Sequence, residues 1–250
     1  MKKTFLSPGS VVGGMLLIVG SCIGAGMLAL PILTGLSGFL PSLSMLLLAW
    51  SFMTFTALLV VEVNGWFYGQ VNFVSMAGQA LGRWGRGFAW VTYLFLFYSL
   101  MVAYIAGGGG ILDSFLQDFC NTQINPAYLS LVFAVLLGLV VFFGTKSVDY
   151  LNRFLMAGLI ATYMGMLIFC VARVKPHLLT HVNFTYLLYP LPVLITSFGF
   201  HNMIPTLTAY LKGDLRKMRL VILGGSFLAL IIYLLWEIVV LGLVPFAGGG

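Results

Sequence analysis

Gly20-Ser21-Cys22-Ile23-Gly24-Ala25-Gly26 lies inside a long apolar run, and its reading decides the fold. The 58 residues from Thr4 to Val61 contain no Asp, Glu, Lys or Arg. A helix needs roughly 20 mostly apolar residues to cross a bilayer. The run therefore holds two spans, separated by Pro31, Gly35 and Pro41. Three glycines within seven residues fall midway along the first. Gly20 and Gly24 form a GxxxG pair, the spacing that lets two membrane helices approach closely. Two readings stand at this point: a packing surface, or an interruption of the helix inside the membrane.

Outward from this stretch, the composition is uniform. The chain is 61% hydrophobic and 7% charged, whereas a soluble domain carries about a quarter charged residues. The bilayer is then its solvent. Seven spans are expected, near residues 11–33, 40–63, 88–115, 127–143, 153–172, 191–211 and 220–244. Helix is the backbone such runs require, because unpaired amides are costly in hydrocarbon and the runs are too long for barrel strands. The expected class is an all-α polytopic membrane protein, with residues 1–250 as one transmembrane domain.

The basic residues set the orientation. With the N-terminus inside, the inner segments carry Lys2, Lys3, Arg83, Arg86, Lys146, Arg153, Lys212, Arg216, Lys217 and Arg219. The outer loops carry only Arg173 and Lys175, so the balance is ten to two and predicts a cytoplasmic N-terminus. The net charge of +6 is spread over short loops rather than gathered on a soluble domain, which argues against nucleic acid. Lys2 and Lys3 read as an anchor, because no small-residue cleavage site closes a short apolar core. The three cysteines form no disulfide framework or metal spacing. His177 and His181 are four apart but have no carboxylate or cysteine nearby, so no metal is expected. No P-loop or catalytic triad signature appears, and an enzyme is not expected.

Between the second and third spans, Phe73, Met76, Ala77, Ala80, Leu81 and Trp84 recur at helical spacing. This predicts a short amphipathic helix at the inner interface, with a plain loop as the alternative. Gly107 to Gly110 near the end of the third span fits close helix approach or a flexible outer gate.

The sixth span reads Ser197-Phe198-Gly199-Phe200-His201-Asn202-Met203-Ile204-Pro205. A glycine, two polar side chains and a proline share the middle of an apolar run. Proline removes one helix hydrogen bond and obstructs another. His201 and Asn202 are costly against lipid, so they face a protein interior or a wet cavity. A satisfied His–Asn pair in the core remains open as a reading. The breaks lie in spans one and six, five spans apart, and an odd number of spans per repeat inverts the second copy. Paired interruptions in corresponding spans are the best sequence pointer to a transporter's site. Unwinding exposes amides that suit a carboxylate and carbonyls that suit an ammonium group or a cation. Neither break contains Asp, Glu, Lys or Arg.

Glu237 lies well inside the seventh span, where a carboxylate is a functional hypothesis by default. It reads either as a proton carrier or as a structural carboxyl paired with a neighbouring helix. Among Tyr93, Tyr98 and Tyr104 of the third span, a tyrosine facing the breaks would bond or stack on an aromatic substrate, and packing is the alternative.

The run Gly20 to Pro31, after Pro8-Gly9-Ser10-Val11, resembles the first span of the hydroxy/aromatic amino acid permease family. Ser197 to Asn202 with Pro205 is similar to its sixth span, and Leu234-Leu235-Trp236-Glu237 to its seventh. The resemblance covers essentially the whole chain. It implies a five-plus-five inverted-repeat fold of the amino acid–polyamine superfamily, with residues 1–173 as the first repeat and 190–250 as the start of the second. It also implies proton-driven uptake of tyrosine or tryptophan across the bacterial inner membrane, with no cofactor beyond the proton gradient and with sodium kept open. Ser21, Cys22, Ile23, Gly24, Ala25 and Gly26 with Ser197, Phe198, Gly199, Phe200, His201 and Asn202 would line the substrate site, and Tyr104 would reach it. Because that family continues past a seventh span, missing helices or a partner chain are expected. A non-transporting fragment or partner subunit, and an intramembrane enzyme using His201, are the competing classes.

Overall fold

The structure is a computed structural model and describes residues 9–67, 72–121 and 124–244. Those residues form helices α1 (Val11–Cys22), α2 (Ala25–Ser37), α3 (Phe39–Gly65), α4 (Phe73–Cys120), α5 (Pro126–Phe142) and α6 (Thr145–Cys170), then α7 (Leu191–Ser197), α8 (Ile204–Tyr210) and α9 (Leu215–Leu243). Short 3-10 turns connect α6 to α7 and fill Phe200–Met203. No strand occurs among the described residues. Four segments, Phe39–Gly65, Phe73–Cys120, Tyr150–Arg173 and Leu215–Leu243, are long and apolar enough to cross a membrane. The chain is a polytopic, all-helical membrane protein.

Two helices expected to be interrupted are interrupted. The first resolves into α1 and α2, and the sixth into α7, a 3-10 turn and α8. Local chemistry sets these ends. Ser10 accepts from the Gly13 amide at 3.0 Å and caps α1. Pro205 sits in the first turn of α8, where its missing N–H is no loss. Gly38 turns the chain between α2 and α3 at φ +89°, and a Cβ there would lie 1.9 Å from the His181 carbonyl oxygen.

The chain divides into two compact units, one of residues 1–80 with 164–250 and one of residues 81–163. In the first unit, α9 is the central element and packs on α1 and α3. Met218, Val221, Ile222, Gly225, Ala229 and Tyr233 recur every three or four residues along its buried face. Lipid tails are as apolar as leucine, so packing and hydrogen bonds, rather than transfer from water, drive this association. Glycines bring the helices close: Gly14 opposes Val221, and Gly225 opposes Ile18. Thr54 donates to Ser226 at 3.1 Å between α3 and α9. Arg219 and Glu62 pair at 2.6 Å between the same helices, with both side chains about half exposed. An exposed pair of this kind adds little stability.

The start of α4 carries the expected amphipathic turns. Asn72 and Ser75 cap it reciprocally, at 2.8 and 2.9 Å. Phe73, Met76, Ala77 and Ala80 face Leu59, Val60 and Val63 of α3 across a shared cavity. The pattern ends sooner than the sequence suggests. Gly82 leaves the helix at φ +70°, and Leu81 and Trp84 are exposed. In the second unit, Gly108 and Gly109 meet Phe133 and Ser130 of α5, whereas Gly107 and Gly110 face open space. Close helix approach therefore accounts for two of the four glycines.

Candidate functional site

The first break is short. α1 ends at Cys22, and Ile23 is extended (φ −74°, ψ 107°) with its amide still bonded to Val19. Gly24 is extended as well, and α2 starts at Ala25. The last carbonyls of α1 and the first amides of α2 have no partners within their own helices. They are the negative and positive ends of the two helix dipoles. The sixth-span break begins where α7 ends at Ser197; Phe198 and Gly199 then leave helical geometry.

The two breaks meet. A Cβ on Gly26 would lie 2.2 Å from Ser197 Oγ and 3.5 Å from its Cα, so this approach needs glycine. Tyr233 of α9 joins them from behind, its Oη 2.5 Å from the Cys22 carbonyl oxygen and 3.2 Å from the Ser197 carbonyl oxygen. It is wholly buried and meets Phe198 edge-on at 5.2 Å.

The candidate residues take different places around this junction. Cys22 and Ser197 are buried, and Ser197 Oγ has no hydrogen-bond partner among the described residues. Ser21 is exposed and returns its hydroxyl to the Ile18 carbonyl at 2.8 Å. Ile23 and Gly26 are half-buried, and Gly24 and Gly199 are exposed. Of Ala25 the structure describes the backbone at the start of α2. Phe198 and Phe200 are fully buried, which makes them packing groups in this conformation. His201 stacks on Phe200 at 5.5 Å and shares a 2.9 Å hydrogen bond with Thr56 of α3. Its polar partner is therefore Thr56, and Asn202 is half-buried beside it in the chain. Tyr104 belongs to the second unit, where its side chain is half exposed.

Glu237 is buried four residues beyond Tyr233, on the same face of α9. Its Oε2 lies 2.7 Å from the Thr34 hydroxyl, and its Oε1 has no partner among the described residues. Thr34 belongs to a buried polar group with Ser37 and Ser42, whose hydroxyls both bond the Thr34 carbonyl. Sequence reasoning missed Tyr233, Thr34 and Thr56. The available signal was spacing: Tyr233 and Glu237 are one turn apart, and Thr34 follows the Gly24 break by ten residues. Among the described residues no group of three or more His, Cys, Asp or Glu is placed to hold a metal.

Residues 8–248 match the tryptophan/tyrosine permease family. The chain belongs to that family. It is 35% identical over 235 residues to the tyrosine-specific transport system 1 of Haemophilus influenzae, covering 93% of this chain and 58% of the relative. It is 31% identical to the tryptophan-specific transport protein of Pseudomonas aeruginosa, with 94% and 58% covered. It is 33% identical to that of Haemophilus influenzae, with 94% and 59% covered. The chain thus spans less than two thirds of the length of these relatives. No solved structure matches it. The relatives are named as transport proteins.

Proposed function

We propose that this permease takes part in secondary active import of an aromatic amino acid, tyrosine or tryptophan, by proton symport. The contact of the two breaks, Gly26 against Ser197 with the Tyr233 hydroxyl between the two helix ends, carries the reading. At this junction the amides that open α2 suit a carboxylate, and the carbonyls that close α1 and α7 suit an ammonium group. An amino acid supplies both, and no ionised side chain is needed in either break. The names of the tyrosine- and tryptophan-specific relatives support the substrate class. In this reading Ser21 to Gly26 and Ser197 to Asn202 surround the substrate, and Glu237 carries the proton. Five-plus-five inverted repeats, residence in a bacterial inner membrane and a cytoplasmic N-terminus complete the proposal. The pairing of α1 and α2 with α7 and α8 in one unit supports the repeat.

The test is uptake of radiolabelled tyrosine, tryptophan and phenylalanine into proteoliposomes, with and without an inward proton gradient. Gradient-dependent accumulation of tyrosine or tryptophan is expected. Accumulation indifferent to the gradient would exclude symport, and no binding of either amino acid by the folded chain would exclude the site.

A further inference from the structure

Glu237 and Thr34 share one hydrogen-bond problem. Thr34 Oγ1 lies 2.8 Å from the Leu30 carbonyl oxygen and 2.7 Å from Glu237 Oε2. A threonine hydroxyl carries a single hydrogen, and an ionised carboxylate only accepts. With Glu237 ionised, one of these two contacts would lack a hydrogen. A protonated Glu237 satisfies both: the carboxyl donates to Thr34, and Thr34 donates to Leu30.

The surroundings agree. Glu237 is 3% exposed, and the cavity beside it is lined chiefly by Phe39, Leu43, Leu46, Leu194 and Leu234. An ion there would have neither solvent nor, among the described residues, a countercharge. α2 and α7 carry no titratable side chain. The other elements packed on α9 carry Cys22 on α1, Glu62 on α3, His177 on the Pro176–Thr180 turn and Tyr210 on α8, and none of these lines the cavity. α9 itself adds Tyr233, and Arg216, Lys217 and Arg219 in its first turns, with Arg219 paired to Glu62.

We propose that Glu237, the Thr34 hydroxyl and the Leu30 carbonyl form a proton-binding site whose proton holds α2 against α9. The inference rests on the symport reading and supplies its proton site. Release sends the proton to water and leaves a buried carboxylate competing with Leu30 for the one Thr34 hydrogen. The C-terminal half of α2 then separates from α9 so that water reaches the charge. The same face of α9 holds both breaks through Tyr233, so the proton and the substrate junction share one helix.

Infrared spectroscopy of the chain in proteoliposomes tests the protonation. A protonated-carboxyl stretch is expected at neutral pH, absent in Glu237→Gln. Hydrogen exchange over residues 25–37 tests the latch. Corrected for intrinsic rates, it should rise about tenfold above the carboxyl's titration midpoint in the wild type, the scale of one buried hydrogen bond. Glu237→Gln mimics the protonated form and should stay protected. No carboxyl band in the wild type, or the same pH response in both proteins, overturns the proposal. Should Glu237→Gln fail to fold, Thr34→Val decides: it should raise exchange over residues 25–37 at neutral pH, and unchanged exchange overturns the latch. If band and latch stand while uptake ignores the gradient, symport falls and the proton site remains.

Discussion

The phenolic oxygen of Tyr233 stands 2.5 Å from the carbonyl oxygen of Cys22, at the point where α1 stops being a helix. The same oxygen lies 3.2 Å from the carbonyl of Ser197, where α7 stops. One buried donor therefore lies within reach of the ends of two helices far apart in sequence, at Cys22 and Ser197. Tyr233→Phe keeps the ring and its edge contact with Phe198 but removes that donor. Interhelical hydrogen bonds in membranes are worth about 0.6 kcal/mol on average and up to about 1.7. Thermal unfolding in detergent should show a loss within that range. Substrate binding should weaken by more than stability alone explains, because the junction loses its common anchor. A variant with wild-type binding and wild-type stability would remove Tyr233 from the site.

Asp214 gives a prediction outside the membrane-spanning helices. It caps α9, accepting from the Arg216 and Lys217 amides at 3.1 Å and pairing with Lys217 Nζ at 3.0 Å. The hydrogen bonds from Lys217 hold its carboxyl below the usual carboxylate value. A lowered value in the folded state means the carboxylate's stabilisation is present above the ordinary pKa and is lost as pH falls through the lowered one. Melting temperature should drop on acidification in the wild type. Asp214→Asn keeps the cap and should flatten that part of the profile, while Asp214→Ala should lower stability across it. Identical acid profiles for wild type and Asp214→Asn would remove the residue from the pH response.

Much of this architecture was legible because the bilayer imposes it. Charge-free runs long enough to span must be helical, and Gly, Pro and paired polar residues inside them mark interruptions, as at Gly24 and Ser197 to Pro205. What connects the interruptions was not legible. Tyr233 reads as one aromatic among many, and Thr34 as a polar residue that a helix satisfies internally by bonding Leu30. Only the fold brings them to the breaks and to Glu237. The amphipathic reading over Leu81 and Trp84 overran for a related reason. Periodicity continues through Gly82, but the backbone there turns to positive φ.

Gly38 should tolerate no side chain. Its φ of +89° is strained for any L residue, and a Cβ would strike the backbone of His181. The Asn183 amide also bonds the Ser37 carbonyl at 2.8 Å, so the turn and the loop lock together. Gly38→Ala should destabilise by more than the roughly 1 kcal/mol of an ordinary glycine effect, because backbone rather than a flexible side chain must move. Thermal unfolding compared with Gly144→Ala separates the two contributions. Gly144 has a similar φ of +93° but, among the described residues, nothing within 4 Å of its Cβ position. Equal losses would mean that φ alone matters.

Gly26 and Ser197 offer the most direct test of the junction itself. A methyl on Gly26 would meet the Ser197 hydroxyl, which has no hydrogen-bond partner among the described residues. Gly26→Ala should therefore push the two breaks apart and weaken aromatic amino acid binding about tenfold, the scale set by 1.4 kcal/mol of overpacking. Ser197→Gly alone should cost little binding. Combining them should restore most of the loss, since the added methyl then fills the space the hydroxyl vacates. The coupling in this double-mutant cycle is the signature of contact, because residues that do not touch add independently. Losses that simply sum would mean that Gly26 acts through α2 alone, and the contact between the breaks would no longer support a shared substrate site.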